Sequence, residues 1–314
     1  MKRALFPIFI FCALNLAGVT CAIADTEVLP SKAVGAGLFL SHDNEGFNTQ
    51  RVALEYLPRY ENADSRTGMR YVTHRYQQAD WSRNGQQLTL LHRNNDPATA
   101  HGWQLDAGLF IQGGHNLLTL DGGVRHALAE HTGLELFISR DWVETAQALD
   151  HGVHFTLAGV SLEQSLGANV TVVGLGARQE FSDGNTRNQG RLKLIFQPYL
   201  ERGLTLQARY RAYNSSHDNV AGMYFNPGEY NESMLALGWR KKMPGWNVNL
   251  TAGAGQQKID DGPHTATHLL EGSIQNSLAS HCSIRIRAGR SQSAAFNGPN
   301  YRYSYFISEW IVPF

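Results

Sequence analysis

Apolar and polar positions alternate with period two over much of this chain. Leu204, Leu206, Ala208, Tyr210 and Ala212 interleave with Thr205, Gln207, Arg209, Arg211 and Tyr213. Val248, Leu250, Ala252 and Ala254 interleave with Asn249, Thr251, Gly253 and Gly255. The same holds for Ile284, Ile286 and Ala288 against Arg285, Arg287 and Gly289, and for Leu134, Leu136 and Ile138 against Glu135, Phe137 and Ser139. Successive side chains of an extended chain point to opposite faces, so each stretch predicts a strand with one apolar and one polar face. No long stretch carries a convincing 3.6-residue period, and the chain reads as all-β.

The connections alternate as well. Residues 165–169 (SLGAN), 200–204 (LERGL), 241–246 (KKMPGW) and 278–282 (LASHC) are short. Between them lie the longer polar stretches 182–190, 214–229, 258–265 and 292–300. Short turns at one end and long loops at the other fit an up-and-down barrel whose ends face different compartments. The expected fold is therefore a transmembrane antiparallel β-barrel of about 16 strands, at roughly 18 residues per strand with its connection, long enough to cross a bilayer at a tilt. In residues 233–240, Leu235, Leu237 and Trp239 would face lipid, and Met234, Ala236 and Arg240 the lumen.

The last stretch, YRYSYFISEWIVPF, is the strongest single signal. Phe306, Trp310, Val312 and Phe314 share one parity, broken by Ser308, and Tyr301, Tyr303, Tyr305 and Glu309 share the other. A terminal Phe with apolar residues two and four before it resembles the C-terminal signal read by the outer-membrane barrel-assembly machinery. That resemblance implies Phe314 as the contact with the machinery.

At the other end, Lys2 and Arg3 precede the apolar run 4–19, and Ala22-Ile23-Ala24 supplies a small-x-small cleavage site. This is the pattern of a secretory signal peptide, residues 1–24, ahead of a barrel over 25–314. The run is short for a membrane anchor and is broken by Pro7 and Asn15. Cleavage removes Cys12 and Cys21 and leaves Cys282, too few thiols for a disulfide framework. Together these features place the mature chain in a Gram-negative outer membrane, with membrane lipid as its first partner.

Composition changes the picture in one way. The 314 residues hold 27 Lys and Arg against 27 Asp and Glu, a balance that argues against a nucleic-acid partner. A soluble β-sandwich could carry the same alternation, but the strand count and the terminal Phe314 argue against it.

Chemistry is sparse. No His precedes the Ser-Asn-Gly triplet that a barrel phospholipase needs. Asp260, Asp261 and His264, and His217 with Asp218, are the nearest approach to a barrel protease's acid and His groups, yet Asp, Gly and His are ordinary loop residues. The His residues follow no metal-ligand spacing, so no catalytic residue, metal or cofactor is expected. The lumen parity is more informative. Arg209, Arg211, Arg285, Arg287, Glu135, Glu309, Tyr301, Tyr303 and Tyr305 are the candidates for contact with a polar solute. Tyr224, Phe225, Asn226, Pro227 and Tyr230 are candidates for a constriction made by the loop 214–229 folding over the mouth.

YFNP (224–227), Tyr230, an alternating strand, a short turn and LTAGAGQQ (250–257) resemble the C-terminal barrel of exopolysaccharide-export outer-membrane proteins. Both the export porins for poly-β-1,6-N-acetylglucosamine and the export subunit of cellulose synthases have such barrels. The likeness covers about the last 90 residues. It implies a 16-stranded barrel that passes a polysaccharide outward. Family exporters carry a long tetratricopeptide region before the barrel, whereas here the barrel pattern starts at residues 32–43, so a separate periplasmic scaffold protein is the implied partner. The alternative is a free-standing structural or receptor-type barrel with a plugged lumen, and a barrel hydrolase is the weaker third.

Overall fold

A computed structural model describes residues 31–96, 99, 101–217, 220–276, 282–295 and 298–314. The expected signal peptide, residues 1–24, lies outside the described residues, as do Asp218 and most of the turn 278–282.

Sixteen antiparallel strands follow one another: β1 (Ser31–Asp43), β2 (Asn48–Asn62), β3 (Ser65–Gln78), β4 (Trp81–Asp96), β5 (His101–Gln112), β6 (His115–Ala129), β7 (Thr132–Trp142), β8 (His154–Ser165), β9 (Val170–Phe181), β10 (Thr186–Tyr199), β11 (Leu204–Ser215), β12 (Glu229–Met243), β13 (Trp246–Ile259), β14 (Thr265–Asn276), β15 (Ser283–Ala295) and β16 (Gly298–Pro313). Each pairs with its neighbours in sequence, and β1 closes on β16, in register from Ala33 opposite Pro313 to Asp43 opposite Tyr303. The result is a closed up-and-down barrel, as the alternation predicts. Closure gives both outermost strands a partner, so no edge is left.

Alternation has the physical reason expected of it. Leu118 and Leu235, at 73% and 72% exposure, project outward with Leu54, Leu90 and Leu270, and none of the described residues covers them. An apolar belt of that extent is unlike a soluble surface. Near the end that carries Ser31 and Phe314, the outward aromatics Tyr56, Trp103, Phe196, Tyr199, Trp239 and Trp310 form a girdle of the kind found at a membrane interface. The interior holds the charges, with a small apolar cluster of Ala33, Leu57, Tyr60, Leu91 and Ile311 close to the termini. Leu57 has the interior parity of β2, and a register shift between Tyr56 and Arg59 turns Tyr60 into the same cluster.

The connections differ from expectation. The stretches 182–190 and 292–300 are not long loops: β10 already starts at Thr186 and β16 at Gly298. Polar strands simply continue past the apolar belt. Among the described residues, two long connections lie at the end opposite Ser31 and Phe314, residues 143–153 and 216–228. The first contains a helix, α1 (Ala146–His151), that no apolar period announces.

Candidate functional site

The two long connections meet over the mouth of the barrel, and α1 is the piece that joins them. Thr145 caps its first turn by accepting from the Ala148 amide at 3.2 Å. Gly152 ends it in the left-handed region at φ 66°, where a Cβ would lie 2.7 Å from His115 Nδ1, so only glycine closes this turn without strain. Two consecutive helix residues then enter two different clusters. Leu149 packs with Tyr76, Phe110, Leu117 and Trp142 on the inner wall of β3–β7. Ala148 packs with Val153, Phe181, Val220 and Tyr224 on the other side.

Polar bonds tie α1 across the mouth. Gln112 Nε2 donates to the Leu149 carbonyl at 3.0 Å. Arg51 pairs with Glu144, and Arg83 with Asp150. Trp81 Nε1 donates to Asp150 Oδ2 at 2.9 Å. Burial alone would raise the Asp150 carboxyl, but the bonds from Arg83 and Trp81 hold it below the usual carboxylate range. Thr145 Oγ1 donates to the carbonyl of Met223, which links the two loops directly.

Loop 216–228 is held by one buried side chain. Asn185 Nδ2 donates to Tyr224 Oη at 3.1 Å and to Asn226 Oδ1 at 2.8 Å, while its Oδ1 accepts from Ser216 Oγ and the His217 amide, both at 3.2 Å. Tyr224 stacks on Phe181, with centroids 4.5 Å apart, and donates to Asp183 Oδ2 at 2.8 Å. Burial pushes its hydroxyl up in pKa. Arg187 reaches the Phe225 carbonyl at 2.7 Å.

The five loop candidates thus have different positions. Tyr224 and Pro227 are buried, Tyr224 against Phe181 and Ala148, and Asn226 is used by Asn185 and Arg187. Tyr230 stands on β12, not in the loop, and stacks on Tyr213 at 4.8 Å. Phe225 lies between two cavities and lines both. The outer one, about 430 Å³, is walled by Asp43, Glu45, Glu144, Phe47 and Tyr301. The inner one, about 360 Å³, is walled by Arg187, Arg191, Arg211, Tyr213 and Tyr230.

The wall candidates all lie on the interior parity of their strands. Arg285 and Arg287 stand on β15, and Arg285 faces Glu309 of β16 with a closest approach of 3.9 Å. Arg211 on β11 pairs with Glu232, and Arg209 is bonded to Gln207 Oε1 at 2.7 Å. Tyr301 donates to Asp43 Oδ2 at 3.1 Å and Tyr305 to Glu271 Oε1 at 3.0 Å, while Tyr303 lies 6.1 Å from the Tyr305 ring. Glu135 on β7 stands opposite Arg125.

Sequence reading missed the densest group of charges. On β2–β5, Glu55 Oε1 accepts from Arg70 Nε at 2.6 Å, Arg66 lies 3.5 Å from Glu55 Oε2, and Asp106 accepts from Arg70 at 3.0 Å with Arg93 at 3.8 Å. Its members are spread over 52 positions of sequence, and only the strand register brings them together. Asp260 lies in a turn, with φ 47°, and accepts from the Glu229 amide at 2.8 Å, so it serves turn geometry. Among the described residues, no cluster of His, Cys, Asp or Glu could hold a metal ion.

No protein-family model matches the chain, and no curated protein matches it in sequence. Solved structures do match in fold. A bacterial polysaccharide outer membrane secretin superposes at a TM-score of 0.65 with 9% identity, covering 92% of this chain and all of that one. OccK11 (OpdR) of Pseudomonas aeruginosa gives 0.46 with 10% identity over 91% and 96%, and CdiB of Acinetobacter baumannii gives 0.49 with 7% over 90% and 60%. The fold is that of bacterial outer-membrane barrels.

Proposed function

We propose that this chain is an outer-membrane porin-like barrel whose lumen carries a polysaccharide outward. The observation that carries the reading is the combination of a closed ring of 16 strands, an uncovered apolar belt and a charged, aromatic interior. Such a ring satisfies its backbone groups in lipid and keeps water inside. The likeness in fold to a polysaccharide secretin supports the nature of the cargo. In this reading the mouth under 143–153 and 216–228 faces the cell exterior, and the girdle with Trp239 and Trp310 faces the periplasm. A signal peptide delivers the chain, Phe314 presents the last strand to the assembly machinery, and a separate periplasmic protein supplies the scaffold. No catalytic step is assigned to the lumen.

One observation favours a second reading. The interlock of α1 with loop 216–228 is extensive enough to act as a plug, which would make the barrel a structural or receptor-type protein working through its outer surface. Conductance separates the two. The mature chain in planar bilayers is expected to show small, steady steps, and deletion of residues 218–228 is expected to enlarge them several-fold. A closed parent that the deletion opens would support the plug, and closed membranes with both proteins would remove the conduit. Unchanged steps in a folded deletion variant would show that the loop does not narrow the path. Fractionation with the outer membrane and a heat-modifiable gel band check the location, and recovery as a soluble periplasmic protein would overturn it.

A further inference from the structure

On β10 and β11 the interior positions carry five cations, with Gln189 between Arg187 and Arg191. Arg187, Arg191 and Lys193 lie on one strand, Arg209 and Arg211 on the next. Register sets Arg191 opposite Arg211 and Lys193 opposite Arg209. Like charges directly opposite in a strand pair destabilise it, so this arrangement is unfavourable for the wall alone. One carboxylate, Glu232, answers Arg211. Among the described residues, no carboxylate lies within 4 Å of Arg191, Lys193 or Arg209. Two further lumen carboxylates are engaged elsewhere: Glu163 with Arg125 at 3.3 Å, and Glu271 with the Tyr305 hydroxyl at 3.0 Å. On the β12 and β13 side Ala236, Gly253 and Gly255 are small and uncharged, and Met234, opposite Arg209, is the larger apolar neighbour. A second feature points to a ligand. The inner cavity under Phe225 places Arg187, Arg191 and Arg211 beside the stacked rings of Tyr213 and Tyr230.

We infer that the β10–β11 strip is a binding track for an acidic sugar chain, one whose residues carry carboxylates. This rests on the conduit reading and names its cargo. Repeated anions along a polymer would neutralise the like-charge rows. A neutral chain would gain nothing from the row of cations, and a cationic one would be repelled.

Purified full-length protein in detergent is titrated with oligogalacturonate, a neutral cello-oligosaccharide of equal length and tripolyphosphate. Oligogalacturonate is expected to bind at least tenfold more tightly than the neutral oligomer. The double variant Arg191→Gln with Lys193→Gln should lose that margin, and Arg178→Gln, which removes a charge from the outer face, should keep it. Heat-modifiability of the double variant should be equal to or above that of the parent, which separates lost binding from lost folding. Equal affinity for the acidic and neutral oligomers overturns the inference, as does an unaltered margin in the folded double variant. Tripolyphosphate binding more tightly than the sugar would overturn the carbohydrate part. In bilayers, open channels that favour cations would overturn it too. An absence of channels with the affinity margin intact would instead remove the conduit and leave the track.

Discussion

Two walls of one lumen use their charges in opposite ways. On β2–β5, Glu55 and Asp106 sit among Arg66, Arg70 and Arg93, with side chains largely buried and close to partners of opposite sign. On β10–β11 the cations face each other, and Arg191 is exposed to the interior. Both walls are strands of the same length class with the same alternation. The difference lies in register, since a carboxylate opposite a guanidinium braces a wall and a guanidinium opposite a guanidinium leaves it charged. A barrel with a neutral total composition can therefore hold one structural side and one side available to a solute.

The largest test removes the brace. Glu55→Gln leaves Arg66 without its carboxylate and Arg70 with Asp106 alone, and breaking a buried pair in this way should cost about 3 kcal/mol. A fall in the temperature at which the compact gel band converts to the slow one measures it, and an unchanged temperature would show that the network is only hydrated wall. Asn185→Ala comes next. It removes a buried hub that donates twice and accepts twice, so a cost of about 1–3 kcal/mol should be confined to loop 216–228 and seen as faster protease cleavage there with an intact barrel. Resistance equal to the parent would mean that Tyr224 packing alone holds the loop. The smallest effect sharpens the contrast by its sign. Lys193→Gln relieves repulsion with Arg209 and should leave stability level or raise it by about 0.2–1 kcal/mol. Destabilisation comparable to Glu55→Gln would erase the distinction between the walls.

Period two made the strands legible, and with them the parity of Arg209, Arg285 and Tyr303. It could not show where a strand ends, because Thr186 and Asn188 beyond the apolar belt are as polar as a loop yet remain paired. That is why 182–190 reads as a connection and folds as β10. The helix α1 spans six residues, too few for a period. Its only local signals are Thr145 before it and Gly152 after it, a capping pair that is readable in hindsight of its position. Partners of charges were illegible for a different reason. Which residue stands opposite Arg191 depends on a register fixed by the whole ring, and shifting one strand by a single position would change every pair.

Closure has a consequence for the order in which the molecule comes into being. The Tyr301–Asp43 bond joins positions 258 residues apart, and the Phe314 amide donates to the Lys32 carbonyl at 2.7 Å. Strand β1 waits for β16 before its free side is paired. Until then the sheet has two open rims, each a row of unsatisfied amides and carbonyls that another copy could pair with. A contact of such long range is slow to form because so much chain must be ordered first. A chain interrupted anywhere before β16 would keep both rims. Pairing of β1 with β16, rather than any local stretch, is what ends the period of vulnerability to aggregation.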